Sequence, residues 1–236
     1  MKKIINIGKA ALAFGWTTVN FILTVILLLT GNHKYPMWIA RMGWARPLFW
    51  MLGCSFTIKG EENVVHDNPS IYVGNHASNL DIPAMMGALP VNVYFLAKAE
   101  LKKVPVIGWF VVTMGMIFID RSNKEKAAAS LKKAIEAIKK GKNIISFPEG
   151  TRSKTGEIGI FRRGSFNMAI EGGIDIVPVA IKGTDKALPA KTMNFQPTDV
   201  TVIIGKPISP KNYTIDQVDQ YAADVREEVL RLLKSA

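Results

Sequence analysis

The run Asn75-His76-Ala77-Ser78-Asn79-Leu80-Asp81 places an imidazole and a carboxylate five positions apart. A neutral imidazole takes up a proton near neutral pH, and a carboxylate on its other nitrogen fixes tautomer and orientation. The preceding Ser70-Ile71-Tyr72-Val73-Gly74 reads as a short buried strand, and a helical pattern begins just beyond. His76 is therefore expected in a strand-to-helix turn, where five residues bring both groups to one helix N-terminus. That suggests a catalytic His–Asp pair. Ser78-x-x-Asp81 also fits a capping box, with Asp81 satisfying backbone N–H groups and His76 an ordinary loop residue. The readings are compatible, because a capping carboxylate has a second oxygen for the imidazole.

A second strand-like run, 143–147, ends in Pro148-Glu149-Gly150-Thr151-Arg152-Ser153. Gly150 allows a tight turn, and Arg152 offers a planar, permanently charged fork suited to phosphate or carboxylate. Glu149 beside it would orient that arginine or bind substrate hydroxyls. An arginine in a polar turn is also commonly a solvated surface residue.

Together these segments resemble a known family. Asn75-His76-x4-Asp81 and Phe147-Pro148-Glu149-Gly150-Thr151-Arg152 are similar to two signature motifs of the glycerolipid acyltransferases, the PlsC-like lysophosphatidic acid acyltransferases. Gly115-Met116-Ile117-Phe118-Ile119-Asp120-Arg121 and Ile176-Val177-Pro178-Val179-Ala180-Ile181 resemble two weaker blocks in the family order. The four blocks span residues 75–181, the centre of the chain.

The resemblance implies transfer of a fatty acyl group from a thioester to the 2-hydroxyl of 1-acyl-glycerol 3-phosphate, giving phosphatidic acid. His76 would act as general base with Asp81 holding the imidazole, and no covalent acyl-enzyme is needed. Arg152 with Gly150, Thr151 and Glu149, and Arg121, would bind the phosphate-bearing acceptor. Lys98, after the strand ending Phe95-Leu96-Ala97, is a further candidate, with a solvated lysine as the alternative. The donor is acyl-coenzyme A or acyl carrier protein. Competing readings keep the chemistry and change the acceptor to another lysophospholipid, a lyso-aminolipid or glycerol 3-phosphate. A non-enzymatic reading makes the chain a basic binder of membranes or nucleic acid. Tryptophan placement favours lipid over nucleic acid.

The elements around these motifs read as α/β, with a mixed, largely parallel central sheet flanked by helices. Strand-like runs fall at 56–59, 71–74, 91–97, 116–119, 143–147, 174–181 and 200–204. In 124–140, Ala127, Ala128, Leu131, Ala134, Ile135 and Ile138 follow a 3.6 period and Gly141 stops the helix. Ile215, Val218, Ala222, Val225, Val229 and Leu232 mark an amphipathic C-terminal helix whose stripe docks on the domain. Residues 182–197 read as a long loop.

Before Glu61 the chain has no acid and seven basic residues, Lys2, Lys3, Lys9, Lys34, Arg41, Arg46 and Lys59, within a net charge of +11. Trp16, Trp38, Trp44 and Trp50 share that stretch, a pattern suited to an anionic bilayer interface. Residues 10–30 carry no charge and would span about 31 Å as a helix, close to a hydrocarbon core. Thr17, Thr18, Asn20 and Thr24 weaken a simple span. Residues 35–54 are apolar but broken by Pro36, Arg41, Arg46 and Pro47. The expectation is a membrane-embedded two-helix segment over 1–54, a shallow hairpin whose arginines reach headgroups, before a catalytic domain over 55–236. A single span and a core helix of a soluble protein are the alternatives. The catalytic domain is expected on the cytoplasmic face, in a bacterium at the inner membrane.

Other chemistries find little support. Cys54 is the single cysteine, which excludes an intrachain disulfide, and its apolar setting favours packing. There is no Gly-x-Ser-x-Gly elbow, P-loop or Gly-x-Gly-x-x-Gly fingerprint. His33 and His66 have no metal-ligand spacing with His76, so no metal or redox cofactor is implied.

Overall fold

β-Branched residues dominate the short apolar runs, and their side chains alternate between two faces as the pleat requires. Seven strands form among the described residues: β1 (Ser55–Lys59), β2 (Ile71–Gly74), β3 (Val93–Lys98), β4 (Ile117–Ile119), β5 (Asn143–Ser146), β6 (Ile176–Lys182) and β7 (Asp199–Ile204). The computed structural model describes residues 2–29, 35–104, 107–120, 122–153 and 155–235. All seven strand-like runs of the sequence are strands, with ends shifted by at most two residues.

The sheet order is β1-β7-β6-β2-β5-β3-β4. β2 pairs in parallel with β5 and β6, β3 in parallel with β5 and β4, and only the β6–β7 pair is antiparallel. The sheet is thus mixed and mostly parallel. The five strands from β6 to β4 deliver their carboxyl ends to one edge, where ligands of open α/β sheets bind.

Alternation splits the core in two. Tyr72, Ile145, Val177 and Val179 face α3 (Arg46–Met51) and α4 (Asp81–Ala88). Ile71, Val73, Ile144 and Ile176 face α6 (Lys124–Lys139), α7 (Gly164–Gly172) and α9 (Val218–Lys234). With helices on both faces the central strands are buried throughout, which is why β2 reads as a continuous apolar run. The α6 helix ends where expected, with Gly141 in the left-handed region. Val218, Ala222, Val225, Val229 and Leu232 of α9 are buried as predicted, whereas Ile215 lies in a preceding 3-10 turn and is exposed. The loop expected at 182–197 contains a short helix, α8 (Thr184–Ala187).

The N-terminal region departs from expectation. Among the described residues one long apolar helix is present, α1 (Lys2–Leu29), not two. Its 28 residues extend about 42 Å. Residues 35–51 instead break into α2 (Tyr35–Trp38), a π-helical turn (Ile39–Ala45) and α3. Pro47 has no N–H to continue the i→i−4 ladder, and Arg46 N–H reaches back five residues to Arg41 O. Ala45, Leu48, Phe49 and Leu52 pack into the domain core. Arg46 also bonds to the domain. Its Nε donates to Gly87 O at the end of α4 at 2.9 Å.

The faces of α1 are inverted relative to a soluble helix. Ile4 and Leu29 are 74% and 83% exposed, and Phe14, Ile22 and Ile26 are also bare. Asn20 and Thr24 are buried and line a small gap against Ala40 and Trp44. Two of the polar residues that weakened the reading as a span, Asn20 and Thr24, are therefore protein-facing. Thr17 and Thr18 are exposed; the Thr17 hydroxyl accepts from the Trp44 indole N–H, and that of Thr18 donates back to Phe14 O at 2.9 Å.

Candidate active site

The turn after β2 is built around one carboxylate. Asp81 opens α4 and is fully buried. Its Oδ2 accepts from Ala77 N–H at 2.7 Å and Ser78 N–H at 2.8 Å, and lies 2.8 Å from His76 Nδ1. Its Oδ1 accepts from the Thr184 hydroxyl at 2.5 Å. The carboxylate end of the capping box is therefore present. The serine end differs, since Ser78 Oγ accepts from Leu80 N–H and donates to Leu188 O. One oxygen, Oδ2, thus makes both the backbone bonds of the capping reading and the contact with the imidazole. A backbone-anchored carboxylate on Nδ1 leaves Nε2 as the proton-accepting nitrogen.

The turn after β5 supports His76 from the other side. Phe147 stacks on the imidazole with ring centroids 4.3 Å apart and planes at 16°. Gly150 adopts φ +74°, closing a turn in which its N–H donates to Phe147 O at 3.0 Å. Ser153 N–H donates to His76 O at 2.8 Å. Glu149, expected to orient Arg152 or bind substrate hydroxyls, is buried and bonded elsewhere. Its Oε1 accepts from His76 N–H at 2.7 Å and its Oε2 from Gly159 N–H at 2.9 Å. A carboxylate between two backbone donors ties the two loops together.

A cavity of about 580 Å³ opens at this edge of the sheet. His76, Lys98, Gly150 and Arg152 line it together, with Lys98 at the exposed end of β3. Trp44, Met86, Phe95 and Val111 give it apolar walls. Trp44 is itself braced by α1, its indole N–H donating to Thr17 Oγ1 at 3.0 Å. Thr151 is exposed on the far side of the turn and does not line this cavity. Arg121 lies outside the described residues.

Three supporting residues have no role in the sequence reading. Phe147 stood in a motif without a role. Thr184 sat in what read as a loop, and the only local hint was the turn residue Gly183 before it. Asn75, noted only as the neighbour of His76, clamps the end of β6: its Nδ2 donates to Ile181 O at 2.9 Å and its Oδ1 accepts from Ile181 N–H at 2.8 Å.

Residues 55–182 match the family described as Acyltransferase, and the chain belongs to that family. It is 36% identical over 216 residues to a 1-acyl-sn-glycerol-3-phosphate acyltransferase of Saccharomyces cerevisiae, covering 90% of this chain and 71% of that protein. It is 35% identical over 202 residues to a chloroplastic protein of the same name from Brassica napus, covering 80% of this chain and 58% of the longer relative. The crystal structure of the 1-acyl-sn-glycerophosphate (LPA) acyltransferase PlsC from Thermotoga maritima superposes with a TM-score of 0.85 at 28% identity, covering 100% of this chain and 99% of that one.

Proposed function

We infer that this protein is a lysophosphatidic acid acyltransferase, transferring an acyl group from a thioester to the 2-hydroxyl of 1-acyl-glycerol 3-phosphate to form phosphatidic acid. The observation that carries the reading is the His76–Asp81 pair beside Arg152 and Lys98 on one apolar-walled cavity. Nε2 of His76 removes the hydroxyl proton as that oxygen attacks the thioester carbonyl. The buried Asp81 stabilises the imidazolium formed while negative charge grows on the carbonyl oxygen. When the tetrahedral intermediate collapses, the carbon–sulfur bond breaks and the thiolate takes the proton from the imidazolium.

The acceptor phosphate needs fixed cations. Arg152 supplies a bidentate fork and Lys98 a mobile charge on the same cavity. The apolar walls suit an acyl chain. Membrane association is supported by α1, whose apolar face is outward and whose polar face packs on the protein. A lysolipid that stays in the leaflet avoids exposing its chain to water at ~0.8 kcal/mol per methylene. We place the catalytic domain on the cytoplasmic side, with acyl-coenzyme A or acyl carrier protein as donor.

Product analysis of purified protein given several lyso-acceptors with each donor tests the reading. Phosphatidic acid as the main product supports it. Acylation of other lysophospholipids with none of 1-acyl-glycerol 3-phosphate would overturn the acceptor assignment.

A further inference from the structure

The catalytic turn is held from behind by one segment, 181–188, through three of its residues. Asn75 binds Ile181, Asp81 binds Thr184 and Ser78 binds Leu188. The segment has little freedom. Gly183 has φ +91°, and a Cβ there would stand 2.1 Å from Asp199 O on β7. That close approach turns the chain out of β6 and starts α8 with Thr184 as its first residue.

Thr184 is 1% exposed, and Asp81 is fully buried. Backbone N–H groups and the imidazole all act on Oδ2 of Asp81, while the Thr184 hydroxyl donates to Oδ1. It comes from 103 residues away in the chain, so it reports the position of β6 to the pair. Without it, a fully buried carboxylate oxygen would lack that donor, and the carboxylate could rotate about its bonds to Oδ2.

We propose that Thr184 is a positioning residue of the acyl-transfer reaction: its hydroxyl fixes the Asp81 carboxylate in the plane that orients His76. The proposal rests on the reading of His76 as the base. Thr184 touches no reacting atom, so its loss acts on turnover through the pair and leaves both substrate sites as they are.

The test compares Thr184→Val, which keeps the shape and removes the hydroxyl, with Thr184→Ser, which keeps the hydroxyl. Thr184→Val should lower kcat about ten- to hundredfold with both KM values within about twofold. Thr184→Ser should restore most of the turnover. If Thr184→Val does not accumulate folded, as judged by circular dichroism, Thr184→Ala takes its place. A third arm places the substitution in a His76→Ala background, where it should cost nothing further, because the group it positions is gone. Losses that multiply in that background mean general damage to the fold and overturn the proposal, as does wild-type kcat in Thr184→Val. A His76→Ala protein that turns over within about tenfold of wild type marks failure of the base assignment itself, and the proposal falls with it.

Discussion

Glu149 grips His76 by the backbone, its Oε1 accepting the His76 N–H at 2.7 Å while Oε2 accepts Gly159 N–H at 2.9 Å. The acidic residue of the second motif thus serves the first. It sets the height of the histidine above the sheet edge and holds the two active turns in register, together with the Ser153 N–H bond to His76 O.

Glu149→Gln should therefore harm stability and turnover before it harms substrate binding. An amide offers one oxygen, so one of the two buried N–H groups would face an NH2, at a cost of about 1–3 kcal/mol. Urea unfolding should show that loss, with kcat falling more than either KM changes. A selective rise in acceptor KM with unchanged stability would return Glu149 to the substrate.

Arg152→Lys keeps the charge and loses the planar fork. KM for 1-acyl-glycerol 3-phosphate should rise about tenfold while donor KM stays within about twofold. Steady-state kinetics with each substrate varied in turn will show the difference. Donor affinity falling alone would assign the arginine to the thioester.

How much of this was legible in the sequence follows from the range of the interactions. The strands were readable because burial on both faces writes apolar runs, and the His76–Asp81 contact because it closes within five residues. The Thr184–Asp81 and Asn75–Ile181 bonds close over more than a hundred residues, and nothing local marks them. The Glu149 bonds to His76 and Gly159 reach 73 and 10 residues along the chain, whereas the sequence by itself sets Glu149 only near Arg152. The N-terminal region misled for a related reason. The same apolar residues satisfy lipid or core, and Leu48 and Phe49 went to the core once Pro47 redirected the helix.

Stability at alkaline pH should fall through tyrosine ionisation. Burial pushes the Tyr72 hydroxyl up to about 12, from about 10 in the unfolded chain. The native state holds that proton more tightly, so its stability is intact below about pH 10 and falls as pH rises towards about 12. Tyr213 is also raised to about 12 by desolvation and by Asp224, and Tyr221 is raised too, so the slope is shared. Unfolding in urea at about pH 8 and about pH 11 should show a smaller alkaline loss for Tyr72→Phe than for wild type, by on the order of 1 kcal/mol. Equal losses would mean Tyr72 ionises at its ordinary value.

The central claim is that Nε2 of His76 removes the acceptor proton, and single-site removal of the imidazole tests it most directly. Turnover of 1-acyl-glycerol 3-phosphate with an acyl thioester should fall at least ~10²–10⁴-fold in His76→Ala. Circular dichroism and co-sedimentation with anionic vesicles should remain as in wild type, because the fold around Asp81 keeps its backbone donors. His76→Ala turning over within about tenfold of wild type, while still folded, would contradict the account and require another base.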